Sequence, residues 1–310
     1  MMKISTTLLS RAPALSLNRS TKLSSYFPNH HIHNQHLLPN NLVGPISCFW
    51  AHHSTTSANA DGNLDKSPLP ANLRQELMPR HVAIILDGNG RWAAKRGHGP
   101  EVGHDAGVIA LIEVMGLCAR WGIPVATFFV FSSENWRRTK AEVDFIMWRF
   151  QKMLEDELQN FIRQGIRIFT IGDTSTLPIS LQEVLEHTKE ATQDNTKTQV
   201  IFAISYSGKN DIVQACQNIS KKVRNGVIEP NEVTENVIEK ELETKVTSIP
   251  SPDLLIRTSG ELRISNFLLW QLAYSEFYFC QTFWPDFSET QFIEALQCFQ
   301  KRGRRFGKRI

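Results

Sequence analysis

The run Asp87-Gly-Asn-Gly-Arg-Trp92 holds residue types that handle a metal and an anion together. Asp87 brings a carboxylate, and Gly88 and Gly90 let backbone N–H groups come close to a ligand around Asn89. Arg91 adds a planar cationic fork suited to phosphate. A helix-like stretch follows, and a helix N-terminus behind such a turn favours an anion. Carboxylate, free amides and guanidinium side by side describe a site for Mg²⁺ and a diphosphate. The same letters are also good turn chemistry, and Asp87 could simply cap the next helix. Neither G-x-x-x-x-G-K-[ST] nor G-x-G-x-x-G occurs in the chain.

Two further runs end in the same way. Phe131-Ser-Ser-Glu-Asn-Trp-Arg-Arg138 turns from apolar to polar: Asn135 could orient a substrate or take part in proton removal, and Arg138 could bind a phosphate. The plainer alternative is that Ser132 to Asn135 merely caps a helix beginning near Ala141. In Asp253 to Ser265 an apolar run ends at Arg257, and a Ser-Gly turn then presents Arg263 and Ser265, a second anion cradle. Unpartnered buried guanidinium groups cost on the order of several kcal/mol, so these arginines should face acids or phosphate. Glu276 heads the last strand-like run as a further candidate metal ligand. Two cradles and a carboxylate suggest chemistry between two phosphorylated substrates.

The elements that must position these groups are legible as alternating strand-like and helix-like segments. Apolar runs predict strands at His81–Leu86, Val125–Phe131, Ile166–Ile171, Val200–Ile204, Asp253–Arg257 and Glu276–Cys280. Amphipathic stretches over Glu142–Ile162, Leu181–Thr192 and Asp211–Val223 predict crossover helices. Such alternation implies an α/β layer fold with parallel strands, whose carboxyl ends meet on one edge. Asn135, Arg137 and Arg138 should therefore converge on Asp87. The polar, proline-containing stretch Asn225–Pro252 should carry one short helix.

The 310 residues are 41% hydrophobic and 21% charged, ordinary for a globular protein of one or two domains. No apolar run reaches the roughly 18–20 residues a bilayer span needs. The first 60 residues contain Lys3, Arg11, Arg19 and Lys22 but no acid, and are rich in Ser and Thr. Such a leader reads as an organelle transit peptide, plastid rather than mitochondrial because hydroxyl residues outweigh Arg. Without its four bases the chain carries 30 Lys and Arg against 31 Asp and Glu, so the net charge of +3 does not argue for nucleic acid. Residues 61–77 read as a linker, 78–307 as one catalytic domain and 308–310 as a tail. The basic end from Lys301 through Arg302, Arg304 and Arg305 to Arg309 reads as solvated. The five scattered cysteines suggest buried thiols rather than zinc or disulfides.

These residues resemble the cis-prenyltransferase family, the undecaprenyl and dehydrodolichyl diphosphate synthases. The resemblance runs over His81–Trp92, Gly103-His104, Phe131–Arg138 with Glu142, Ile171-Gly-Asp173, Ser205-Tyr-Ser-Gly208 and Asp253 to Phe287. It implies a single α/β domain with a mostly parallel six-stranded sheet, flanking helices and a hydrophobic tunnel. It also implies Mg²⁺-dependent extension of an allylic diphosphate with isopentenyl diphosphate to a Z-prenyl product. Carried over, Asp87 would bind Mg²⁺. Gly88, Asn89, Gly90, Arg91, His104 and Arg138, with Trp92 nearby, would hold the allylic diphosphate. Ser132, Ser133, Glu134, Asn135 and Trp136 would shape the reacting end, Asn135 as proton acceptor. Arg257, Arg263, Ile264 and Ser265 would hold isopentenyl diphosphate, and Glu276 would complete the metal site across a homodimer interface. Pro100 departs from an Arg common four residues before the His104 position. Ser205-Tyr-Ser-Gly-Lys209 looks like plastid plant members, which include neryl- and lavandulyl-type synthases. Val130 and Trp148 are expected to plug the tunnel and give a short or medium product; peripheral membrane association would accompany a long one.

Overall fold

In the computed structural model, residues 69–304 are described. The expected leader, most of the linker, Cys48 and the last residues of the basic end lie outside them. Six strands form one sheet: β1 (His81–Ile85), β2 (Val125–Ser132), β3 (Ile166–Ile171), β4 (Thr198–Tyr206), β5 (Leu254–Arg257) and β6 (Glu276–Phe279). Their order is β3-β4-β2-β1-β5-β6, and every pairing is parallel.

The apolar runs lack alternation because both faces of the sheet are covered. Val82 and Ile84 of β1 enter one core with α2 (Pro100–Arg120), α3 (Lys140–Gln164), α4 (Ile179–Ala191) and α7 (Glu289–Gln300). Ala83 and Ile85 enter the other, against Phe267, Leu268 and Leu272. The chain leaves β1 toward β2 and β4 on one side and returns through β5 and β6 on the other, so the strand order switches direction at β1. Open α/β sheets bind ligands at such switch points, outside the carboxyl ends of the strands.

Four expectations change. Helix α2 is long and apolar enough to cross a membrane by length and composition, but over half of it is buried in the fold. Residues expected to be linker pack with the domain: Leu73 joins the core, and the Arg74 backbone exchanges hydrogen bonds with Gln300. The basic end is not simply solvated, since Arg302 pairs with Glu276 at 2.6 Å and Arg304 with Asp253 at 2.5 Å. Cys118 and Cys280 are buried, but Cys216 is exposed.

The excursion after α5 (Gly208–Arg224) holds one short helix, α6 (Glu235–Glu239), with 3-10 turns on either side.

Candidate active site

The loop after β1 is fixed before its side chain acts. The Asp87 N–H donates to Thr258 Oγ1 at 2.9 Å, that hydroxyl donates to the Asp87 carbonyl at 2.7 Å, and the Trp284 N–H donates to the same carbonyl at 3.0 Å. Gly88 then turns left-handed at φ 110°, and a Cβ there would lie 2.6 Å from the Phe283 ring. Glycine is required at that turn. Gly88 itself is the N-cap of α1 (Asn89–Lys95) and makes no side-chain capping bond. Asp87 therefore does not cap the helix, and its carboxylate is free for other partners.

Those partners are the arginines of both cradles. Asp87 Oδ2 accepts from Arg257 Nη2 at 2.8 Å and Oδ1 from Arg91 Nη2 at 3.0 Å. Burial alone would push the Asp87 carboxyl up, but the bonds and charge of Arg257, and then of Arg91, hold it below the ordinary range. Arg257 is 4% exposed and also donates to Ser265 Oγ at 2.7 Å and to the Arg263 carbonyl. Glu261 links the two cradles outside this junction, pairing with Arg91 at 2.8 Å and with Arg263. The expectation that the arginines face acids holds.

A cleft of about 270 Å³ opens above the junction. Asp87, Asn89, His104, Ser132, Asn135, Arg138, Arg257, Arg263 and Ser265 line it, so three strand ends converge as the parallel topology requires. Asn135 Oδ1 accepts the Ser132 N–H at 3.0 Å and closes a capping box over the Ser133–Arg137 turn. Helix α3 is capped instead by Thr139. Arg138 bonds Glu142 at 2.9 Å, and the same carboxylate stands 3.6 Å from His104 Nε2. Burial, and then the charge of Arg138, lowers the His104 pKa against the pull of Glu142.

Four buried side-chain polar atoms among the described residues lack a hydrogen-bond partner: Asn89 Oδ1, His104 Nε2, Arg257 Nε and Gln199 Oε1. Three of the four belong to cleft residues. Buried orphan groups are rare in folded proteins, and their concentration here marks a place that expects polar ligand atoms.

Several expected residues surround the cleft without forming its wall. Arg91 is not among the lining residues and touches the site through its bonds to Asp87, Glu261 and Ser259. Trp92 turns away: its indole donates to Asp286 at 2.7 Å and Arg96 stacks on its ring. Ser133 bonds Glu134 at 3.3 Å. Glu134 accepts from Asn266 at 2.8 Å, and Trp136 donates to Ser205 at 3.0 Å. Ile264 packs against the second core. Gly90 faces open space, and Arg137 is not among the lining residues. Glu276 lies farthest from expectation within one chain. It opens β6 in register with Leu254, at the amino edge of an all-parallel sheet, and pairs with Arg302. Nothing in the sequence marked Thr258, Glu261 or Phe283 as builders of this site. Gly107 was equally unmarked, although a Cβ there would meet Asn89 Oδ1 at 2.4 Å, and only its four-residue spacing from Gly103 hints at close helix packing.

Residues 85–307 match the family described as "Putative undecaprenyl diphosphate synthase". The chain belongs to this family. It is 52% identical over 254 residues to cis-prenyltransferase 4, chloroplastic, of Solanum lycopersicum, covering 82% of each chain. It is 55% identical over 245 residues to dehydrodolichyl diphosphate synthase 2 of Arabidopsis thaliana, covering 79% of each. Among solved structures it resembles lavandulyl diphosphate synthase from Lavandula x intermedia in complex with dimethylallyl diphosphate. That match has a TM-score of 0.74 at 39% identity and covers 75% of this chain and 100% of that one. The protein is thus a prenyl-transferring enzyme with the cis-prenyltransferase fold, as the resemblance in its motifs implied. Pro100, the departure from the family pattern, is the first residue of α2, where a missing N–H costs little and no phosphate donor is offered.

Proposed function

We propose that this plastid enzyme condenses an allylic diphosphate with isopentenyl diphosphate, forming a Z double bond and releasing pyrophosphate. One observation carries the reading: the Asp87 carboxylate just past β1 and the Arg257 guanidinium ending β5 meet at 2.8 Å at a cleft where two buried nitrogens, His104 Nε2 and Arg257 Nε, have no partner within the protein. A diphosphate entering the cleft would give His104 Nε2 and Arg257 Nε their missing acceptors. Arg138 and Arg91 would serve the allylic diphosphate, and Arg263 with Ser265 the isopentenyl one. These donors accelerate ionisation only by gripping the departing pyrophosphate more tightly than the bound substrate. Asn135, oriented by its bond to the Ser132 N–H, would steer the proton lost from the isopentenyl carbon.

The residues present suit Mg²⁺. Asp87 is the only carboxylate on the cleft wall among the described residues, and Mg²⁺ favours one or two carboxylates with phosphate oxygens and water. When bound there, Mg²⁺ would supply charge stabilisation at the leaving oxygens. Glu276 could join Asp87 only from a second copy of the chain, since its own copy holds it at the opposite sheet edge; the reading therefore includes a homodimer. Plastid location follows the relatives named chloroplastic, and residues 1–60 are proposed as the leader that directs it. The product is proposed to be short or medium, and membrane association would matter only for a long one.

A second reading, irregular joining of two five-carbon diphosphates, is favoured by the likeness to lavandulyl diphosphate synthase. One experiment decides. Protein lacking the leader is incubated with Mg²⁺, labelled isopentenyl diphosphate and allylic primers of five to twenty carbons. Chloroform-extractable Z-prenyl products are expected, and Asp87→Ala should abolish them. Product from dimethylallyl diphosphate alone would select the second reading, and no product from any primer would overturn both.

A further inference from the structure

Behind the cleft a smaller cavity of about 60 Å³ lies between α2, α3 and the sheet. It continues the cleft, because Leu86, Val130 and Ile146 wall both. Its inner side is Leu111, Phe150 and Trp284, each at most 3% exposed. Close-packed core of that kind does not yield to an advancing hydrocarbon.

The outer side has different chemistry. Arg149 of α3 lines the chamber with a side chain 19% exposed, and its Nε donates to Asp105 Oδ1 of α2 at 2.5 Å. Among the chamber's lining residues Arg149 alone carries a permanent charge. The pair spans the seam between the two helices, one residue beyond His104, and its outer member, Asp105, has a side chain 53% exposed. Trp148, expected as a plug, cannot serve: it is 56% exposed on the outer face of α3. Val130 stands at the neck between the two cavities rather than at the end.

A tail anchored by its diphosphate in the cleft would fill the chamber and, between the buried inner side and the helix seam, meet Arg149 on its outer side. There it would have to part an ion pair and lie against a guanidinium whose water and carboxylate it cannot replace. We infer that the Asp105–Arg149 pair is the stop that limits how many five-carbon units this enzyme adds. The inference rests on the reading of the cleft as the allylic diphosphate site. Asp105 and Arg149 thereby become specificity-determining residues, setting product length without touching the reacting atoms.

The test uses a fixed allylic primer, excess isopentenyl diphosphate and mass spectrometry of the products. Wild type, Arg149→Met, Arg149→Lys and Asp105→Asn are compared, each first checked for cooperative thermal unfolding. Arg149→Met keeps the stem and removes the charge, so its main product should lengthen by one or more five-carbon units. Asp105→Asn removes the carboxylate charge that holds the guanidinium across the seam and should shift length in the same direction. Arg149→Lys should keep the wild-type length. A wild-type distribution from Arg149→Met overturns the stop, and Asp105→Asn decides in the same sense if Arg149→Met does not fold. Lengthening by Arg149→Lys equal to that by Arg149→Met overturns it as well, because charge would not be the barrier. These outcomes leave the cleft reading standing, whereas absence of any prenyl product from wild type removes both.

Discussion

Arg257→Met tests whether the junction of the two cradles is an electrostatic unit. The substitution removes the 2.8 Å partner of Asp87 and the bond to Ser265 Oγ while keeping an apolar stem. Breaking a fully buried ion pair costs about 3–5 kcal/mol, and an exposed pair is worth about 0.2–1 kcal/mol. The junction falls between these limits: Arg257 is 4% exposed, but Asp87 is 26% exposed and keeps Arg91 at 3.0 Å. The expected loss is therefore about 2–3 kcal/mol in unfolding free energy by urea titration at neutral pH.

A double-mutant cycle with Asp87→Asn should return a coupling of about 1–2 kcal/mol, since Asn cannot repay the guanidinium's charge. The sign of its pH dependence follows from the depressed Asp87 pKa. Stabilisation is complete above the ordinary carboxyl value of 3.8 and is lost as pH falls through the lower folded value. The coupling should be flat at neutral pH and fade only in acid. A coupling under about 0.5 kcal/mol at neutral pH, against the buried-pair scale, would show that the two strand ends are not held by charge.

Two other perturbations probe the frame. Gly103→Ala places a Cβ 2.1 Å from the Asn89 carbonyl, so α1 must move off α2. Overpacking of this kind costs about 1–3 kcal/mol, and KM for the allylic substrate should rise more than KM for isopentenyl diphosphate; unchanged stability and kinetics would mean the helix contact does not set the site. Glu243 bonds the Gly172 N–H, and burial, with Asp211 nearby, pushes its pKa up to about 6. A carboxyl raised above its unfolded value costs stability once ionised, so the cost is absent below the ordinary 4.5 and complete above about 6. Glu243→Gln should stabilise the protein by at most about 2 kcal/mol at pH 7–8, the gain vanishing toward pH 4.5 in thermal melts; a gain independent of pH would point to packing instead.

Much of the architecture was legible from local patterns. All six strands fall where apolar runs stand; the central strands lack alternation because the sheet is covered on both faces, while the edge strands β3 and β6 keep polar residues such as Arg167 and Glu276. Among the cleft's polar residues, Asp87, Ser132 and Arg257 are legible because they stand at the end of such runs, whereas His104, inside α2, was marked only by the family resemblance. The misplacements come from direction and face rather than residue type. Trp148 lies off the inward stripe of Val143, Ile146, Met147 and Phe150, so helical periodicity already turned it to solvent. Glu276 begins its strand, and in an all-parallel sheet a strand's first residue lies on the edge opposite Asp87. Capping went to Thr139 rather than to Ser132 because a 3-10 turn intervenes before α3.

The sequence by itself determined the strands, the crossover fold and the residues fit to bind two diphosphates, since hydrophobic period, glycine turns and charged termini are written locally. Which charges meet was settled only in three dimensions. Arg257 reaches Asp87 across 170 residues because β5 returns beside β1, and Arg149 reaches Asp105 because α3 lies on α2. Coulomb attraction and desolvation depend on distances of a few ångströms and on burial, and folding alone fixes both.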